Sequence, residues 1–591
     1  MPATAPPPAS AIDSARDLDF TPRGKVFPSP LDWRDQVMYQ LLIDRFDDNQ
    51  DHPAYDPATA KRGRDEKQAA LFQGGKIKGI TRRLDYLKGL GVTAVWISPP
   101  FKNRQDDPNA CHGYAIQDYL SVDPRIGTLE DLQELTREAH RRGMYVILDI
   151  IINHTGDNWG YKEESTPFRE DGSRYEFGYW RRNGGATVTH EQAMNGQPLG
   201  KDDGVWPREF QNPDFYKRRG WIRNMSSPVG AEKIDGDFFN LKDLDLTRPD
   251  VIDALIRVFK YWIAVCDVDG FRMDTVTHTE PGPTAIFINA IHEYAKAIGK
   301  HNFFIFAEIV ADDATLSKYV GHNTPDPGEK DRYPLFNAVL DFPLHFALAD
   351  VIKSFKPPTA LRDRYEHFRG FYRDFSEAGR YFVTFVDNHD QMSHPYNRFM
   401  NGVDDPRQGV LAQAFLLCNM GVPCIYYGSE QGFDGGGKSE SFVREAMFGG
   451  KWGAFDTTGV QFFNPEHPIY KAIAAVARIR STEPTLRYGR QYFREISGDG
   501  QNFGHPIDGN CTLALSRVLD ATEILVAMNL TTADRSDCVF TDAHVNPPGS
   551  LLIDLLSADG TAMKVEGNDK GQAYVRIPLK GRQLAILRRK P

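Results

Sequence analysis

Short apolar runs bounded by turn residues recur along the chain, and most of the gaps between them hold amphipathic helical stretches. The runs are Val37–Ile43, Thr93–Ser98, Tyr145–Asp149, Val268–Asp274, Phe303–Glu308, Ala338–Phe342, Tyr381–Asp387 and Pro423–Tyr427. Ile80–Leu90 and Thr128–Arg142 are two of the helical stretches. Runs apolar on both faces that alternate with helices predict a parallel sheet, and eight such units predict a closed (β/α)8 TIM barrel. One gap departs from this period. More than a hundred residues separate Asp149 from Val268, where such connections usually take ~2–6. The segment 155–245, rich in Gly, Asn, Trp and Tyr, is therefore expected to be an inserted domain B after the third strand. After the helical stretch Pro468–Ser481 the pattern changes again. Cys511–Arg517, Ala521–Asn529, Leu551–Leu556 and Ala573–Ile577 predict an antiparallel β-sandwich over 486–591. The barrel then comprises 35–154 and 246–485, preceded by a flexible, Pro-rich leader at 1–34.

Composition narrows the class. Of 591 residues, 41% are hydrophobic and 25% charged, as in a folded protein with a large core. A net charge of -10 argues against a nucleic-acid partner, which calls for a basic stripe. The mean hydropathy is -0.47, and without a run of 18 apolar residues no membrane span is expected. Cys111, Cys266, Cys418, Cys424, Cys511 and Cys538 form neither a CxxC pair nor a zinc spacing, and are expected to be buried thiols. Met1–Gly24 shows no basic or apolar signal region, so a cytoplasmic location is the default expectation; a trimmed secretory signal would leave the same sequence. No feature of the sequence sets an oligomeric state.

In a (β/α)8 barrel the chemistry sits at the C-terminal ends of the strands. Four predicted strands end in polar residues that a core would not select. The third ends at Asp149 and runs on to Asn153 and His154. The fourth carries Arg272, Asp274 and then His278. The fifth ends at Glu308, and the seventh at Asp387, Asn388, His389 and Asp390. One such tip reads most simply as a salt bridge or cap. Four tips on one rim point to a site. Carboxylates at close quarters suit glycoside hydrolysis, in which one ionised group attacks the sugar and a protonated one serves the leaving oxygen. A neighbouring Arg keeps the first ionised, while apolar or acidic surroundings hold the proton on the second.

The motifs DIIINH, GFRMDTVTH, FAEIV and FVDNHD, in that order, resemble those of the α-amylase family, glycoside hydrolase family 13. Supporting stretches are VMYQLLIDRF, GVTAVWISP, HGYAIQDY, LKDLD and GVPCIYYGSEQGF. The resemblance covers about 35–591. It implies a retaining α-glucoside hydrolase that acts on α-1,4-linked glucans or maltooligosaccharides through a covalent β-glycosyl-enzyme. In this resemblance Asp274 is the nucleophile, Glu308 the general acid and then the base, and Asp390 the group that holds the sugar's hydroxyls. Arg272 orients and ionises Asp274. His154 and His389 hydrogen-bond the sugar, and Tyr114 stacks on it. His112 and Asp118 share the Tyr114 loop as further substrate ligands, although His112 also reads as an ordinary loop residue and Asp118 as a turn cap. The resemblance further implies one Ca²⁺ between barrel and domain B, held by Asn153, Asp243 and the backbone carbonyl of His278; without metal these residues would bond to one another. A second family calcium site would use Asp48 and Asn49, but Lys76 stands where a later aspartate is aligned, and a cation there repels calcium.

Other readings stay open. Gly432–Ser439 satisfies the P-loop pattern G-x-x-x-x-G-K-S. It follows the eighth strand, however, and a flexible rim loop is the simpler reading. Trp159, Tyr161, Tyr179, Trp180, Trp206 and Trp221 crowd the insertion, either as its small core or as sugar platforms. A glucan transglycosylase would use the same covalent intermediate. A non-catalytic sugar-binding or transporter-accessory barrel is the remaining class, and such relatives lose the carboxylates that this chain retains. Thr277 stands where many amylases carry Lys, a residue that helps bind the aglycone side.

Overall fold

A computed structural model describes residues 12–321, 333–372, 376–391, 396–557 and 560–590. Eight parallel strands close into a barrel: Met38–Leu41, Ala94–Ile97, Tyr145–Ile150, Gly270–Met273, Phe304–Ala307, Ala338–Leu340, Phe382–Phe385 and Val422–Tyr426. Each lies within or next to one of the apolar runs. The first strand pairs with both the second and the eighth, which closes the ring. Inside, Met38, Trp96, Ile147, Phe304, Phe306, Leu340, Phe385 and Cys424 fill the lumen as one apolar cluster, and Trp33 stacks on Phe304 at its edge. A larger cluster packs the outer strand faces against the helices. The lumen is thus a solid floor beneath the rim. The helix Leu129–Arg141 shows how locally some boundaries are set: Thr128 and Asp131 form a reciprocal capping box at its start.

The chain leaves the barrel at His154–Thr155 and returns at Lys242–Asp243. These two short strands pair antiparallel, with Asp243 opposite His154. The insertion is therefore clasped at its neck. Trp159 and Trp180 are wholly buried and Tyr161 and Trp206 nearly so, which makes them the insertion's core; Trp221 is 40% exposed.

One expectation needs correction. From Ile12 onward the leader is packed rather than flexible. Ala15 N–H donates to Glu209 in the insertion (3.0 Å), Arg23 N–H to the Ala264 carbonyl, and Phe27 stacks on His140 at 4.1 Å. Enough buried area and backbone pairing offset its Pro-rich composition. At the C-terminal end, in the expected antiparallel sandwich region, nine strands run in one hydrogen-bonded order from Arg490–Phe493 to Ile496–Ser497. This sheet folds over a shared core that includes Leu525, Val539, Val575 and Leu587.

The P-loop-like stretch forms no phosphate cradle: Gly436–Gly437 pairs as a short strand with Tyr396–Asn397. Among the described residues no helix is long and apolar enough to cross a membrane. All six cysteines are free, five of them buried.

Candidate active site

The barrel register sets the site. Arg272 lies opposite Asp149 on the third strand and Phe306 on the fifth. Alternation along the fourth strand sends Arg272 and Asp274 to the same side. Arg272 is wholly buried. Its Nη1 donates to Asp149 Oδ1 (2.8 Å) and to Asp274 Oδ1 (2.7 Å). Its Nη2 lies 3.1 Å from Glu308 Oε2 as an ion pair without hydrogen-bond alignment. One guanidinium therefore holds three carboxylates from three neighbouring strands.

Their proton affinities differ. Burial raises Asp274, and Asp149 and Asp390 add to the rise; Arg272 opposes them, leaving Asp274 at about 6. Burial raises Glu308 further, with help from Asp274 and Asp390 against Arg272, to about 8. Glu308 Oε2 also accepts the Thr275 backbone N–H at 3.1 Å. Thr275 delivers that N–H from a left-handed conformation, φ 48° and ψ 35°. A β-branched residue there costs on the order of 1–3 kcal/mol, and the strain aims the turn after the fourth strand at the acid on the fifth.

Around this trio the predicted residues gather, with one exception. Tyr114 donates its hydroxyl to Asp149 Oδ2 at 2.9 Å and lies 2.8 Å from His389 Nε2. The Tyr114 and His389 rings stack at 5.6 Å. Gln40 places its side-chain N–H on His389 Nδ1, so the ring proton sits on Nε2, between Tyr114 and Asp390 Oδ2 (3.2 Å). Burial drives His389, His154 and His112 each down to about 3, so at neutral pH they are uncharged hydrogen-bonding groups. His112 accepts the Tyr114 N–H on Nδ1 (2.9 Å). His154 is 1% exposed, and its Nε2 has no partner among the described residues. The exception is Asp118. Its buried carboxylate accepts from Leu120 N and Ser121 Oγ, the bonds of a turn cap.

Asp149, Trp96, Gln40 and Arg444 also belong to the site, although sequence reasoning assigned them no role. Asp149 accepts Trp96 Nε1–H (3.1 Å) as well as Arg272 and Tyr114. Its place at the end of the third strand was a visible signal. Gln40 and Trp96 sit inside predicted strands, where nothing local separates them from core.

The residues implied as calcium ligands cluster at the neck of the insertion. Leu244 N–H donates to the Asn153 carbonyl at 2.8 Å, which places Asn153 beside Asp243. Asp243 Oδ2 is buried without a hydrogen-bond partner. Burial, with Glu280, Asp237 and Asp235 nearby, pushes its carboxyl well above the usual range. His278 Nδ1 donates to the Lys233 carbonyl (2.8 Å). Among the described residues no three His, Cys, Asp or Glu side chains converge on one metal position, so a cation here would rely on Asp243, the Asn153 amide and backbone carbonyls. Hard oxygen donors of this kind suit Ca²⁺, and the orphaned carboxylate oxygen fits it. At the second family site, Lys76 donates to the Arg125 carbonyl, and Asp48 is paired with His52 at 2.8 Å.

A closed parallel barrel with acidic side chains clustered at its C-terminal rim defines the class: a (β/α)8-barrel enzyme with a multi-carboxylate site. The family model "Alpha amylase, catalytic domain" matches residues 40–448. The chain belongs to the alpha-amylase family. An alpha-amylase of Streptomyces lividans is 30% identical over 87% of this chain, and a cyclomaltodextrin glucanotransferase of Geobacillus stearothermophilus is 27% identical over 91%. The chain spans only 56% and 65% of the length of those relatives. Among solved structures, an alpha-amylase from Geobacillus thermoleovorans complexed with acarbose matches with TM-score 0.66 at 23% identity over 95% of this chain and 100% of that one. A three-domain cyclomaltodextrin glucanotransferase, CldA, matches with TM-score 0.66 at 25% identity over 94% of this chain and 99% of that one.

Proposed function

We propose that this protein is a retaining α-glucoside hydrolase acting on α-1,4-linked glucans or maltooligosaccharides. The observation that carries the reading is the sharing of Arg272 by Asp274 and Glu308, at 2.7 and 3.1 Å, with the proton held more tightly on Glu308. Asp274, ionised, attacks the anomeric carbon. Glu308 gives its proton to the departing glycosidic oxygen, and the glycosyl-enzyme forms. Glu308, now ionised, takes a proton from water, which displaces Asp274 and restores both groups. Asp390, His154 and His389 hold the ring hydroxyls, and Tyr114 lies against the ring.

A second reading, transglycosylation, is favoured by one observation. The Phe239 side chain is 63% exposed beside Phe238, whose ring lies parallel to His154 at 6.4 Å. An exposed aromatic face this close to a proposed sugar ligand would favour an acceptor sugar over water. We also propose that Ca²⁺ binds at the neck of the insertion through Asp243, Asn153 and the His278 carbonyl. Its charge would neutralise Asp243 and tie the insertion to the barrel.

The test is proton NMR and chromatography of fresh products from maltoheptaose, pullulan, isomaltose and maltose. The α-anomer of shortened maltooligosaccharides is expected first, because the carboxyls of a retaining enzyme stand ~5–5.5 Å apart and leave no room for the water of an inverting one. The β-anomer appearing first would refute the reading; products longer than the substrate would select transglycosylation.

A further inference from the structure

Arg272 reaches three carboxylates of the rim, but Asp390 takes its closest ion pair from elsewhere. Arg444, in the loop after the eighth strand, is only 7% exposed. Its Nη2 donates to Asp390 Oδ1 at 2.8 Å, and its Nε donates to the His389 carbonyl at 2.9 Å. The guanidinium thus grips both the side chain and the backbone of the seventh-strand tip. Arg444 is itself clamped. Its carbonyl accepts from Arg45 Nη1 at 2.7 Å, and the next residue, Glu445, is wholly buried against Arg398 at 2.8 Å.

We propose that Arg444 is a positioning residue that fixes the orientation and charge of Asp390 in the glycosidase site. The proposal rests on the glycosidase reading of that site. Arg444 occupies Oδ1 and leaves Oδ2 beside the His389 imidazole. Several other groups face Asp390: Arg272 and Asp274 from the fourth strand, Glu308 from the fifth, His112 and Tyr114 from the loop after the second, and Tyr396. Glu440 in turn faces Arg444. Burial works against ionising Asp390, yet His389, Arg444 and Arg272 outweigh it and hold the carboxyl below its usual range. His389 is uncharged at neutral pH and supplies an N–H, so the full cations are Arg444 and Arg272. Of the two, Arg444 makes the charge-assisted hydrogen bond to Asp390. Removing it lets Asp390 rotate.

The experiment compares wild type with Arg444→Met, Arg444→Lys, Asp390→Asn and the Met/Asn double variant, all as full chains. The readouts are melting temperature, kcat and KM on maltoheptaose, and calorimetric titration with acarbose, which needs no turnover. Arg444→Met is expected to lower kcat/KM by roughly 10- to 100-fold, the scale of a lost hydrogen bond to a charged group. Arg444→Lys restores the charge but not the two-pronged grip. It is expected to recover part of the lost kcat/KM, and it keeps the test valid if Arg444→Met does not fold. The double variant is expected to bind acarbose as Asp390→Asn does, because Arg444 acts through Asp390. Wild-type kcat/KM in folded Arg444→Met, wild-type kinetics in Arg444→Lys, or additive losses in the double variant would overturn the role. Wild type that neither cleaves maltoheptaose nor binds acarbose would instead overturn the glycosidase reading itself.

Discussion

Asp274 and Glu308 stand on adjacent strands, touch the same guanidinium and are both buried, yet they sit near 6 and near 8. A second negative charge ~5 Å away costs roughly 3 kcal/mol at an effective dielectric of ~20, which is about two pK units. That is enough to keep the proton on Glu308 once Asp274 has lost its own, which suits the proposed roles of nucleophile and acid. Substitution separates the two roles. Asp274→Asn is expected to abolish turnover of every α-glucoside, since no nucleophile remains. Glu308→Gln loses proton donation, worth ~10²–10⁴-fold, but an activated leaving group needs little of it. An α-glucosyl fluoride should therefore give a fluoride burst with Glu308→Gln and none with Asp274→Asn, each first shown to be folded by circular dichroism. The opposite pattern would mean that the roles are exchanged.

At the scale of elements, the leader behaves as a strap. Near its N-terminal end, Asp13 and Ala15 reach Lys201 and Glu209 of the insertion. Near the other end, Phe27 covers His140, while Phe27 N–H donates to Asp267 at 2.9 Å. His140 is held between Asp267 (3.4 Å) and Asp269 (2.9 Å). Burial lowers its pKa, but hydrogen bonds to the two carboxylates win and raise it from 6.5 to about 9. A histidine raised on folding stabilises the fold fully below its unfolded value and loses that contribution as pH climbs through the folded one. His140→Gln is therefore expected to melt below wild type by the equivalent of about 3 kcal/mol at pH 6, with the gap closing above pH 9. Melting curves at pH 6, 8 and 10 check this; a gap independent of pH would show that the histidine's charge contributes nothing.

For the whole molecule, the insertion meets the barrel through the neck where Asn153, His154 and Asp243 lie together. The same neck carries the proposed sugar ligand His154 and the proposed calcium ligands, so a metal bound there would link insertion and cleft. A ligand bound only to the native state stabilises it by about 2.7 kcal/mol at a hundredfold excess over Kd. Chelation is expected to lower the melting temperature, and added Ca²⁺ to restore it. An unchanged melting curve, together with elemental analysis that finds no calcium, would remove the metal from the neck.

The barrel was legible in the sequence because each strand is buried on both faces and must be apolar throughout, and the rim was legible because acidic and histidine tips interrupt those runs where a core tolerates none. Asp274, Glu308, Asp390, Arg272 and His389 could be named from such tips together with the family motifs. Arg444 could not, because it lies in an irregular loop whose only distinction is the carboxylate it meets across the fold. Asp118 shows the converse: a polar residue in a suggestive loop whose carboxylate serves its own turn. The leader's composition predicts flexibility, and its contacts with the insertion and with barrel residues such as His140 and Ala264 override it. Local pattern determined the elements and the chemistry at their ends, since burial and periodicity act over a few residues. Tertiary structure decided which charges share a guanidinium, which histidines stay neutral and which arginine grips Asp390, because those depend on distances set by barrel closure between residues hundreds of positions apart.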